Sequence, residues 1–169
     1  GHRSEKWHPK MAEYIFTEKQ GRHIIDLRMT QKILEEKLQN ITDLVAKGGT
    51  ILFVGTKNQA KAVIEEHAKR CNMPYMKERW IGGLLTNFSV VHKLSKKLTD
   101  LKKKKDSGDL GKYTKKEQLQ FKKEIDRLNR LVGGIEGMNK VPDAIFVVDA
   151  KHDKTVIVEG NKKGIDITA

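Results

Sequence analysis

This chain holds one cysteine, Cys71, in 169 residues. An internal disulfide is therefore excluded, and a reducing compartment fits. No motif surrounds Cys71 that would mark a nucleophilic thiol. No apolar run approaches the roughly 18 residues that a membrane span needs. The opening GHRSEKWHPKM is polar and basic, with no visible signal peptide. The six histidines form no metal-ligand spacing, with no pair at i, i+4 on a helix and no cysteine pair. No metal or cofactor is expected. There is no G-x-S-x-G elbow and no serine with evident base partners. Asp143 and Asp149 flank one strand, which separates them by about 20 Å at ~3.3 Å per residue, so they are no acid–base pair. Hydrophobic residues are only 37% of the chain, which limits the core to a modest size.

What the chain has in excess is positive charge. Thirty-four Lys and Arg oppose 22 Asp and Glu, for a net charge of +12. Eight of those twelve charges fall between Lys93 and Arg130, where fourteen basic residues meet six acidic ones. Charge concentrated in this way on a small chain points to a polyanionic partner, most commonly nucleic acid, bound in a salt-sensitive manner.

Residues 1–20 read as an irregular basic segment with interleaved aromatics: Arg3, Lys6, Trp7, Lys10, Tyr14 and Phe16. A short strand is expected at His23–Leu27. A helix N-capped by Thr30 follows, with Ile33, Leu34, Leu38, Ile41, Leu44 and Val45 as its stripe, and Gly48-Gly49 ends it. Thr50–Val54 reads as a buried parallel strand. A Thr56-x-x-Gln59 capping box then opens a helix whose buried stripe is Ala60, Val63, Ile64 and His67. Pro74 and Gly82-Gly83 predict a short strand and a shaped loop. Val91, Leu94, Leu98 and Leu101, and then Phe121, Ile125, Leu128 and Val132, repeat at coiled-coil spacing on either side of the polar turn Asp106–Asp109. Ala144–Val148 reads as a second buried strand, Thr155–Lys163 as a helix closed by Gly164, and Ile165–Ile167 as a further strand. Alternating β and α predicts an α/β fold with helices on a parallel sheet, into which a basic helical hairpin is inserted. The expected division is an α/β domain of residues 1–88 and 133–169, the N-terminal basic segment 1–20 included, and a hairpin of residues 89–132.

Gly55-Thr56-Lys57 departs from the Walker pattern, since Thr56 stands between the glycine and the lysine and Gly48-Gly49 belong to a helix end. The loop could still present backbone N–H groups at a helix N-terminus to a phosphate, with Lys57 assisting. Asp149 at a strand's carboxyl end is where α/β folds place ligands. These two features carry the enzyme alternative, a nucleotide-binding site. A hairpin that packs Leu94, Leu98 and Leu101 on a partner helix is the interaction-module alternative. Nucleic-acid chemistry is better supplied. Lys77, Arg79 and Trp80 precede the two glycines, and Asn87 and Phe88 follow them. Arginine forks onto phosphate oxygens. Trp80 and Phe88 either anchor the loop in the core or stack on an unpaired base.

The blocks WHPKM, HIIDL, ILFVGTKNQA, RWIGGLLTNF, TKKE, GGI and PDAIFVVDA, in that order, resemble the bacterial-type second protein of the small ribosomal subunit. The resemblance spans nearly the whole chain. It implies a flavodoxin-like three-layer sheet with a protruding coiled-coil hairpin. It implies binding to small-subunit rRNA at the head–body junction, contact with other small-subunit proteins, and help in recruiting ribosomal protein S-one. It also implies a cytoplasmic or organelle-matrix ribosome, no membrane and no catalysis. Leu84 stands where relatives often carry Met. The family normally starts with a further amphipathic helix and continues past Ile167, so the chain resembles one cut short at both ends. Resemblance and charge together select Arg3, Lys6, Lys10, Lys57, Arg79, Lys102, Lys103, Lys104, Lys115 and Lys116 for rRNA contact, with Asn87 beside them and Trp7 and Trp80 as anchors.

Overall fold

The fold is that of a computed structural model, which describes residues 2–5 and 7–169. The chain divides into two compact units, Gly1–Lys47 and Gly48–Ala169.

The first unit is built on a tight hairpin. Gln20 and Gly21 both take positive φ, 51° and 69°. A two-residue turn of that kind matches the twist of the strands it joins. It links β2 (Ile15–Lys19) to β3 (Arg22–Ile25), antiparallel, and β1 (His2–Arg3) adds to the far side of β3. Part of the segment expected to be irregular is thus sheet, preceded by a 3-10 turn over Pro9–Tyr14. A register shift between Ile15 and Thr17 breaks the alternation that would have shown β2 in the sequence. The helix α1 spans Leu27–Ala46. Its cap is Asp26, whose carboxylate accepts the Arg28 N–H at 2.9 Å, and not Thr30, whose hydroxyl turns back to the Asp26 carbonyl. Gly48, at φ 78°, closes it as expected.

The second unit holds a four-stranded parallel sheet in the order β5-β4-β6-β7. Its strands are β4 (Ile51–Val54), β5 (Tyr75–Met76), β6 (Ala144–Val147) and β7 (Asp166–Thr168). The helices α2 (Asn58–Arg70) and α5 (Lys154–Lys163) flank it, in keeping with a flavodoxin-like α/β fold. Leu52, Val54, Ile145 and Val147 are buried, as strands lying between helices require. α2 is rotated from the expected phase: Ile64 and Ala68 are buried, while Val63 is 52% exposed. Its expected capping box is absent too. Lys57 holds the N-cap position without a side-chain bond, because the Thr56 hydroxyl is engaged elsewhere.

The hairpin arms are α3 (Phe88–Asp106) and α4 (Lys115–Val132). A true capping box, Thr114 with Glu117, starts the second arm. Val91, Leu98 and Leu101 meet Ile125, Leu128 and Val132 in the seam, as their spacing predicts. These residues belong to the same contiguous cluster as Leu52, Val54 and Met76 of the sheet.

Ion pairs brace the β5 edge. Glu65 accepts from Lys69, Lys77 and the Tyr75 hydroxyl. The lysine hydrogen bonds, Lys69 foremost, hold its carboxyl down at about 2. A depressed folded pKa stabilises above the unfolded value of about 4.5, and that contribution is lost as pH falls toward 2. The expected result is that Glu65→Gln reduces thermal stability at pH 7 and narrows its gap to wild type by pH 2.5. A gap that stays constant across that window counts against the linkage.

Candidate nucleic-acid interface

The hairpin tip gathers Lys103, Lys104, Lys115 and Lys116, four of the ten basic residues selected from the sequence, together with Lys105. Lys103, Lys104 and Lys105 form the exposed last turn of α3, where the negative end of the helix dipole suits them. Lys115 and Lys116, also exposed, open α4, where the dipole opposes cations. Two of the three acids nearby are occupied, while Asp106 at the end of α3 has no ion-pair partner among the described residues. Asp109 accepts from Lys112 and Ser107, which lowers its pKa, and Glu117 is consumed by the cap. Further down the arms, Glu124 bridges Arg127 and Lys97.

Lys102 differs from the lysines that follow it. The sequence suggested an unpacked run from Lys102 to Lys105, but Lys102 is half-buried and its ammonium lies 2.5 Å from the Glu136 carboxylate. Glu136 also accepts from the Thr99 hydroxyl at 2.9 Å. Lys102 therefore braces the hairpin against the turn after α4, and the free charge begins at Lys103.

The loop from Arg79 to Phe88 is held from beneath by a residue the sequence reading passed over. Glu159 of α5 is buried. It accepts from the Trp80 indole at 3.2 Å, from the Gly83 N–H at 2.8 Å and from the Leu85 N–H at 3.1 Å. Burial raises its pKa, but the hydrogen bonds from Gly83, Trp80 and Leu85 outweigh this and hold the carboxyl below its ordinary range. The one available signal was a lone acid among the apolar residues of Val156–Gly160. Trp80 is thus a loop anchor packed against the core. Arg79 and Asn87 remain exposed, Asn87 at the N-cap of α3 without a capping bond. Arg79 and Trp80 border a cleft of about 540 Å³ with Thr56, Lys61, His152 and Asp153.

That cleft lies beside the carboxyl ends of β4 and β6, where the chain reverses its direction of winding and α/β folds bind ligands. Several of its polar groups are paired with one another, Lys61 with Glu78 among them, while Arg79 has no ion-pair partner among the described residues and Lys57 and Asp149 stand outside its lining. Lys57 forms an ion pair with Asp149, which lowers the Asp149 pKa. The Thr56 hydroxyl donates to Asp153 at 2.7 Å and lies 2.8 Å from the His152 ring.

In the first unit, Trp7 is 46% exposed and meets the His23 ring edge-on at 5.0 Å between centroids. Lys10 is exposed in the 3-10 turn, where its N–H donates to the His8 ring. Arg3 is described by its backbone in β1, and Lys6 lies outside the described residues.

A family model described as ribosomal protein S2 matches residues 1–169.

Proposed function

The chain belongs to the ribosomal protein S2 family, and from that premise we propose that it is a structural constituent of the small ribosomal subunit that holds rRNA electrostatically. In this reading the hairpin, residues 89–132, reaches into folded rRNA, and the α/β unit is its mount. The observation that carries the reading is the hairpin tip. Lys103, Lys104, Lys105, Lys115 and Lys116 are exposed there, and the neighbouring Asp109 and Glu117 are already engaged. Cations at the start of α4 run against the helix dipole, a cost that a bound phosphate offsets. Shape rather than base sequence is read, because A-form helices hide their base edges in a deep groove.

The finer assignments follow the same family reading: a bacterial-type or organelle ribosome, seating at the head–body junction, and a part in recruiting ribosomal protein S-one. The nucleotide-enzyme alternative is weakened because Lys57 and Asp149, its two charged groups, neutralise each other.

The test is a triple reversal, Lys103→Glu with Lys104→Glu and Lys105→Glu, read as binding to small-subunit rRNA across a salt series. Affinity is expected to fall at least tenfold, and the salt slope by about three, near one unit per lysine. The melting temperature should stay close to wild type. Unchanged affinity in the folded variant would sink the hairpin mechanism.

A further inference from the structure

The hairpin of the first unit carries a row of like charges that no contact within the fold explains. Register places Arg22 of β3 opposite Lys19 of β2, and Arg3 of β1 opposite Arg22. Directly opposed residues share one face and stand about 5 Å apart, so three basic positions line up over about 10 Å. Lys19 and Arg22 are exposed. Glu18 belongs to the other face: it pairs in register with His23, and its carboxylate lies 3.9 Å from that ring. Among the described residues neither Lys19 nor Arg22 has an ion-pair partner. The row cannot slip out of alignment, because the two-residue turn Gln20–Gly21 sets the register.

Like charges directly across a sheet are destabilising, so on its own this arrangement costs stability. A negative rod laid across the strands converts the cost into attraction. Two exposed cations side by side on one face suit neighbouring phosphates of one backbone. We propose that the Lys19–Arg22 pair is a second phosphate seat, which grips an RNA backbone separately from the hairpin tip. The inference rests on the rRNA-binding reading above. RNA is favoured over an acidic protein surface because adjacent like charges, fixed in register across the turn, suit a regularly charged polyanion.

The test uses the full chain and a small-subunit rRNA transcript, with Lys19→Gln and Arg22→Gln combined. Two opposite shifts are expected from one variant. The free protein melts higher, because repulsion is relieved. Binding at low salt weakens about tenfold, and the salt slope falls by about two. A higher melting temperature with unchanged affinity and slope overturns the proposal and leaves an unoccupied repulsive surface. A lower melting temperature with weaker binding but an unchanged slope overturns it in favour of a structural role. Intact rRNA binding combined with a defect toward an acidic ribosomal protein overturns it in favour of a protein partner. If the wild-type chain fails to bind the transcript, the underlying reading falls, and this inference with it. If wild type binds and only the Lys103–Lys105 variant is impaired, the seat alone is refuted.

Discussion

Replacing Gly134 with alanine is expected to lower the melting temperature of this chain by roughly 2–12 °C. Gly134 follows the second hairpin arm, where the chain turns back against the sheet edge. A Cβ there would press into the Tyr75 backbone carbonyl and lie 2.9 Å from the Tyr75 ring. The carbonyl belongs to β5, whose residues 75 and 76 pair with Phe53 and Val54 of β4, so it cannot withdraw without disturbing the sheet. Overpacking against a fixed backbone costs about 1–3 kcal/mol or more, and each kcal/mol moves the melting temperature of a chain this size by about 2–4 °C. Gly82 is the control, because a Cβ there meets open space. Thermal unfolding of Gly134→Ala and Gly82→Ala checks the argument. A melting point for Gly134→Ala within a degree of wild type would show that the edge yields freely. The variant also bears on function, since a hairpin displaced at its root presents its lysines elsewhere.

Glu159→Ala is the second substitution with a large expected effect. It removes the acceptor shared by the Trp80 indole and two backbone N–H groups, and the Leu85 N–H among them is buried. Hydrogen bonds to a charged group contribute about 1.5–3 kcal/mol each, and buried donors left unpaired cost about as much. The bonds are not independent, so a total near 3 kcal/mol is expected. Glu159→Gln keeps one carbonyl acceptor and should lose less. The indicator is Trp80, whose emission should shift red as the loop loosens, together with faster proteolysis between Arg79 and Asn87. The pH dependence has a defined sign. The folded pKa lies below the ordinary value, so the stabilisation is complete above about pH 4.5 and is lost as pH falls through the folded pKa. The stability gap between wild type and Glu159→Gln should therefore shrink in acid. A Glu159→Ala variant with unshifted emission and wild-type proteolysis would mean that core packing alone holds the loop.

Where one interaction dominated, the residues disclosed their structure directly. The seam of the hairpin was legible because its spacing of three and four has a single geometric solution, and Val91, Leu98, Ile125 and Leu128 lie where that spacing puts them. The buried strands were legible from unbroken apolar runs, and the end of α5 from Gly164. The misreadings arose where two partners competed for one group. Thr56 had the sequence of a cap, but Asp153, 97 residues away, took its hydroxyl. Thr30 lost the α1 cap to Asp26. Lys102 looked like its neighbours until Glu136 claimed it.

The sequence by itself determined the class of fold, the hairpin and the concentration of positive charge along it. Those depend on periodicity and on sums over many residues, which survive ignorance of any single contact. Only the tertiary structure decided which charges are free. It paired Lys57 with Asp149 and Lys102 with Glu136, buried Glu159 under the Trp80 loop, and aligned Lys19 with Arg22 across a turn. Electrostatic pairing falls off within a few ångströms and joins residues far apart in the chain. Linear order therefore carries almost no information about which cation an anion will find.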